Sequence, residues 1–87
     1  MDGSEQDPSI LNLVLEGLAN GRLWVIEAAP VWMGLGNLRP CVVCGLRIGA
    51  GHYWYDVPGP RGTLPAHVEC YRVWQVESDR RRANPRP

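Results

Sequence analysis

Ile10, Leu11, Val14, Leu15 and Leu18 recur at intervals of three and four residues, with Asn12 and Glu16 elsewhere on the wheel, and this period predicts an amphipathic helix over residues 9–19. Asp7-Pro8 ahead of it supplies a capping oxygen and a first-turn proline, and Asn20-Gly21 behind it supplies a stop. The helical period then lapses. Across residues 22–40, Pro30, Gly34, Gly36, Asn37 and Pro40 punctuate two short apolar runs that contain Trp24 and Trp32, so extended connections are expected, with one short strand at residues 31–33. Period-two alternation appears at residues 52–57, where Tyr53, Tyr55 and Val57 are interleaved with His52, Trp54 and Asp56. Pro58-Gly59-Pro60-Arg61-Gly62 reads as a turn and residues 63–66 as the returning strand of a hairpin. A second helix is expected from His67 to about Glu77. The pattern is that of one α+β domain over residues 9–77: helix 9–19, connection 22–40 and a finger-like unit 41–77. An acidic disordered N-terminus (1–8) precedes it and an Arg- and Pro-rich disordered tail (78–87) follows.

Length changes the picture because 87 residues make a core that is marginal by itself, and small scaffolds obtain extra stability from disulfides, a metal or association. The three cysteines are an odd count, and the first residues carry Asp2 and Glu5 instead of a basic segment before an apolar run. A reducing, cytoplasmic setting is expected. No apolar run approaches the roughly 20 residues that span a bilayer, so a soluble protein without a membrane partner is expected. Formal charge is zero, nine acidic residues balancing nine arginines, but the acids open the chain and Arg80, Arg81, Arg82 and Arg86 crowd its end. The apolar stripe of the first helix carries no basic residue to attract lipid, so its expected use is to cover the apolar side of the cysteine-bearing half.

Two pairs carry the chemistry. Cys41-Val42-Val43-Cys44 and His67-Val68-Glu69-Cys70 each place two residues between candidate ligands, the spacing with which a knuckle or a first helical turn brings both side chains onto one ion. Gly45 and Gly49 permit the turns of a knuckle, His67 and Cys70 share a helix face three residues apart, and Trp74 stands one turn further on, where it can exclude water. One structural Zn2+ held by Cys41, Cys44, His67 and Cys70 is the expectation. The competing readings are a redox dithiol at Cys41 and Cys44, and His52 as a substitute ligand. Three thiolates and an imidazole complete a tetrahedral shell, which argues against metal catalysis. No nucleophile, histidine and acid set and no paired carboxylates accompany it, and Met33-Gly34-Leu35-Gly36 is too short to cradle phosphate. A non-enzyme without a small-molecule substrate is expected.

A Cys-x-x-Cys knuckle, an intervening hairpin and a helix starting at His67-x-x-Cys70 resemble a treble-clef-like zinc finger of the kind found in poly(ADP-ribose) polymerase fingers and in half of a LIM domain. The likeness covers about residues 38–77. Similarity to the polymerase fingers implies DNA contacts by Arg47, Arg61, Arg72 and exposed members of Tyr53, Trp54 and Tyr55; similarity to LIM modules implies a protein partner. The interval between ligand pairs is shorter than in the polymerase fingers, and a zero net charge offers little footing for phosphates. Protein is therefore the favoured partner of a small recognition module, nucleic acid the alternative, and a redox or zinc-sensing switch the third reading. Tyr53, Trp54, Tyr55, Arg61, Arg80, Arg81 and Arg82 are the candidate contact residues.

Overall fold

The computed structural model describes residues 6–83; the ends expected to be disordered fall partly outside this range, at residues 1–5 and 84–87. The order is α1 (Gln6–Asn20), β1 (Trp32–Leu35), β2 (Tyr53–Gly59), β3 (Gly62–His67) and α2 (Val68–Ala83), with the strands in one antiparallel sheet of order β1-β2-β3. This is the α+β arrangement that the pattern predicts.

Helix α1 turns Val14 fully inward and half-buries Ile10, Leu13 and Leu18, while Leu11 and Leu15 sit at the rim. Gly17 is a required absence of side chain: a Cβ there would lie 2.7 Å from the Leu23 side chain, and the Leu23 N–H donates to the Gly17 carbonyl at 2.9 Å. The chain therefore folds back on its own helix immediately after Gly21 and inserts Leu23 and Ile26 into the core.

Segment 23–26 is locked to α2 by two bonds. The Trp74 indole N–H donates to the Trp24 carbonyl at 2.8 Å, and the Ile26 N–H donates to the buried Ser78 hydroxyl at 2.9 Å. The Trp24 ring meets Trp74 edge-on at 4.9 Å between centroids and donates its own N–H to the Pro58 carbonyl, lying so close over Gly59 that a Cβ there would come within 2.4 Å. Edge-on packing with both indole N–H groups satisfied is the favourable way to bury two large aromatics. Of the two tryptophans in the connection, Trp24 packs on the core, whereas Trp32 is 62% exposed.

Strand register sorts the remaining aromatics. Met33 opposes Tyr55 and Leu35 opposes Tyr53, putting these four on the face that packs toward α2, where Tyr55 meets Tyr71 edge-on at 4.8 Å. Trp32, Gly34, Trp54 and Asp56 alternate to the other face. Trp54 covers Gly34, where a Cβ would lie 2.9 Å from the indole nitrogen.

Several boundaries differ from the sequence expectation: α1 opens at Gln6, so residues 6–8 of the N-terminus expected to be disordered are helical, and β1 spans Trp32–Leu35 where residues 31–33 are expected. The hairpin turn is only Pro60-Arg61, because Pro58, Gly59 and Gly62 pair within the ladder. His67 ends β3 rather than opening the helix, so α2 carries one candidate ligand, Cys70, rather than two. And α2 continues through Ala83, which places Arg80, Arg81 and Arg82 in its last turn rather than in a disordered tail. Ser78 anchors this extension from below, and the pairs Glu77–Arg80 and Asp79–Arg82, three apart on the helix, support it from outside. Arginines near a helix C-terminus also complement its dipole.

Candidate metal centre

The knuckle is built by backbone bonds around Cys41. Its N–H donates to the Leu46 carbonyl at 2.9 Å, its carbonyl accepts the Gly45 N–H at 2.8 Å, and Pro40 bridges Arg47. Gly45 takes φ +78°, the left-handed turn that reverses the chain after Cys44. Val42 then donates to the Pro65 carbonyl at 2.9 Å, docking the knuckle onto β3, and the Arg22 guanidinium donates to the Val42 carbonyl at 2.6 Å and the Leu13 carbonyl at 3.4 Å, tying it to α1.

These links carry the two sequence pairs to one point. The sulfurs of Cys41, Cys44 and Cys70 and a ring nitrogen of His67 lie within 4.8 Å of one another, with Cys41 and Cys70 buried and Cys44 and His67 half-buried. The four could hold a metal ion. His67 Nδ1 stands 3.5 Å from Cys44 Sγ, so Nδ1 is the nitrogen turned to the sulfurs. The His67 N–H, at the strand-to-helix junction, donates to Cys41 Sγ at 3.4 Å. One residue thus serves the cluster with both its ring and its backbone.

Three crowded thiols cannot all ionise without a neighbouring cation. Donation from the Cys70 thiol lowers Cys41 to about 4, assisted by backbone N–H groups that include that of His67. Cys70 is pushed up, chiefly because its proton is held on Cys41, and burial raises Cys44. The side chains by themselves favour one thiolate and two thiols; a divalent cation at the centre is what allows three thiolates to coexist.

The convergence of a third sulfur and an imidazole on Cys41 and Cys44 distinguishes this site from an isolated redox dithiol. His52 does not join it. Its Nδ1 accepts the Gly49 N–H at 3.1 Å, and its ring packs edge-on to His67 at 5.2 Å. Trp74, one turn beyond Cys70, is fully buried in the core cluster that includes Cys41 and Cys70, with its ring against Trp24.

An open groove of about 1220 Å³ runs alongside the cluster, and Cys44, His67 and Cys70 form part of its wall. Tyr53 and Tyr55 line it; of the other candidate contact residues, Trp54, Arg61, Arg80, Arg81 and Arg82 do not. Arg61 is exposed in the hairpin turn. Val68, between the ligands of the second pair, and Met33, Leu46, Ile10 and Leu13, from segments without any shared motif, add apolar lining, and Arg72 lines the groove as well. Periodicity flags Ile10 only as a core residue, and nothing in sequence brings Leu46 to Met33.

Comparison with family models, curated proteins and solved structures found no match for this chain. What fold and site define is a class: a small α+β protein with a three-cysteine, one-histidine cluster able to hold a metal ion.

Proposed function

We propose that this chain is a non-catalytic recognition module, stabilised by one structural zinc and directed at a protein partner. The observation that carries the reading is the donor set of Cys41, Cys44, His67 and Cys70, gathered within 4.8 Å. Three sulfurs and an imidazole match the softness and the coordination number of Zn2+, and four protein ligands leave no position for water or substrate. The chain order of knuckle, hairpin and helix supports a treble-clef-like finger, and thiols kept as ligands suit a reducing compartment such as the cytoplasm.

A protein partner is favoured by the apolar groove beside the ligands, in which Tyr53 and Tyr55 offer large surfaces with polar tips. Phosphate recognition would draw on concentrated positive charge, whereas the net charge is zero and Arg80 and Arg82 are engaged by Glu77 and Asp79. No membrane or small-molecule partner is part of the reading; among the described residues no helix is long and apolar enough to cross a membrane.

Native mass spectrometry is expected to find one zinc per chain. Capture from the source cell should yield a protein whose binding survives added salt and is lost in Tyr53→Ser combined with Leu46→Ser, with zinc content unchanged. A chain that is fully folded without metal overturns the zinc reading. Binding of DNA or RNA that collapses steeply with salt overturns the choice of partner.

A further inference from the structure

The sheet has two outer edges, and they are finished in opposite ways. On β3 the central Pro65 has no N–H to offer, and its carbonyl already accepts the Val42 N–H. On β1 there is no charge or proline, since no charged residue occurs between Glu27 and Arg39, and among the described residues β2 is the one element packed against it. Natural sheets normally blunt a free edge with such devices, because unpaired N–H and C=O groups invite another strand.

Register identifies the groups left over. Gly36 donates to the His52 carbonyl at 2.8 Å, and antiparallel alternation then directs the polar groups of Trp32 and Gly34 to β2. The N–H and C=O groups of Met33 and Leu35 point away from the sheet. Trp32, Met33, Leu35, Leu38 and Tyr53, each more than half exposed, surround them.

We propose that β1 pairs with β1 of a second copy about a two-fold axis at Gly34, joining two three-stranded sheets into one of six. The edge is self-complementary in that register. Met33 of one copy exchanges both backbone hydrogen bonds with Leu35 of the other, and the reverse, giving four bonds between apolar residues. Gly34 meets Gly34 on the axis, where non-hydrogen-bonded partners approach to about 4.5 Å between Cα atoms. Trp32 stands opposite Gly36, so the indole of each copy faces a position without a side chain.

A two-fold axis brings every charge near its own copy, so only an uncharged edge escapes like-charge repulsion. The exposed parts of the five side chains amount to roughly 600 Å² per copy, so the pair can bury at most about 1,200 Å², the lower end of specific interfaces. A dimer of moderate affinity, dissociating on the order of 10 µM, is expected. Met33 and Tyr53 also line the metal-side groove, so the paired edge borders that surface.

The test is sedimentation velocity on the full, metal-loaded chain from about 1 to 300 µM. The expected result is a concentration-dependent passage from monomer to dimer. Leu35→Lys adds a charge at the axis, and Leu35→Pro removes one outward N–H that β2 does not use; each should weaken association more than tenfold, with one metal per chain retained. Leu64→Lys, a rim residue of β3, should leave the dimer intact. A monomer throughout the range overturns the proposal, as does a dimer that persists in both Leu35 variants or is lost on Leu64→Lys. A monomer that binds an added extended apolar peptide also overturns it, assigning the edge to a foreign strand.

Discussion

The β3 side of the sheet and the β1 side are held by different forces. Near β3, Val42, Pro65, His67 and Cys41 are joined by specific backbone and sulfur contacts, and the candidate ligands converge from the knuckle, the sheet and α2. Near β1, the ladder to β2 is the principal restraint, and Trp32, Met33 and Leu35 project into solvent. Polar and coordinating chemistry is concentrated where burial alone would be insufficient, and apolar surface is left bare on the opposite edge. On one side, then, side chains able to coordinate a metal ion are gathered among polar contacts, while the other side carries exposed apolar residues.

The largest effect expected on the β3 side is from Cys70→Ala. Structural zinc contributes on the order of 10 kcal/mol in small fingers, comparable to the entire stability of a small domain, so this variant should lose both metal and cooperative near-ultraviolet circular dichroism. A cooperative melt in Cys70→Ala would erase the distinction between the two sides. Trp74→Ala should rank next, at about 3–5 kcal/mol by chemical denaturation, because it empties a fully buried site and leaves the Trp24 carbonyl without its donor.

Proton linkage sharpens the comparison further. Cys41, lowered to about 4, enters metal binding already ionised at neutral pH, whereas Cys44 and Cys70, both raised above 9.0, must each surrender a proton. Calorimetry near pH 7 in buffers of different ionisation enthalpy should report about two thiol protons released per ion. The metal-bound state holds fewer protons, so its stability rises with pH and is lost on acidification. For Cys41 alone, whose folded value is depressed, the contribution is fully present above 9.0 and is lost as pH falls toward about 4.

Smaller effects complete the series. Ser78→Ala leaves the buried Ile26 N–H unpaired and should reduce stability by about 1–3 kcal/mol, measurable as a shift in denaturation midpoint. Leu35→Lys, on the solvent-facing edge, should change the stability of the monomer by less than about 0.5 kcal/mol despite its effect on association. A larger loss would mean that β1 contributes to the core after all.

Both ligand pairs are readable in the chain because coordination demands residue types at fixed local spacing, and spacing survives in sequence. The hairpin is readable for a similar reason: alternation at Tyr53, Tyr55 and Val57 followed by Pro and Gly is a short-range signal. Ser78 was not readable as a core residue, since a polar residue amid Glu77, Asp79 and Arg80 looks solvent-facing until the Ile26 N–H is brought to it from 52 positions away. The extent of α2 was hidden with it.

What the residues decide locally, then, is periodicity, turn chemistry and the identity of four candidate ligands. Tertiary structure decides how those pieces are used. It selects Trp24 over Trp32 for the core, because Leu23 folds back onto Gly17 and presents the Trp24 carbonyl to Trp74. It places His67 on a strand rather than a helix, since β3 pairs His67 with Trp54 before the chain can turn. And it distinguishes an occupied sheet edge from a free one, a difference that belongs to strand order and cannot be encoded in the composition of either strand.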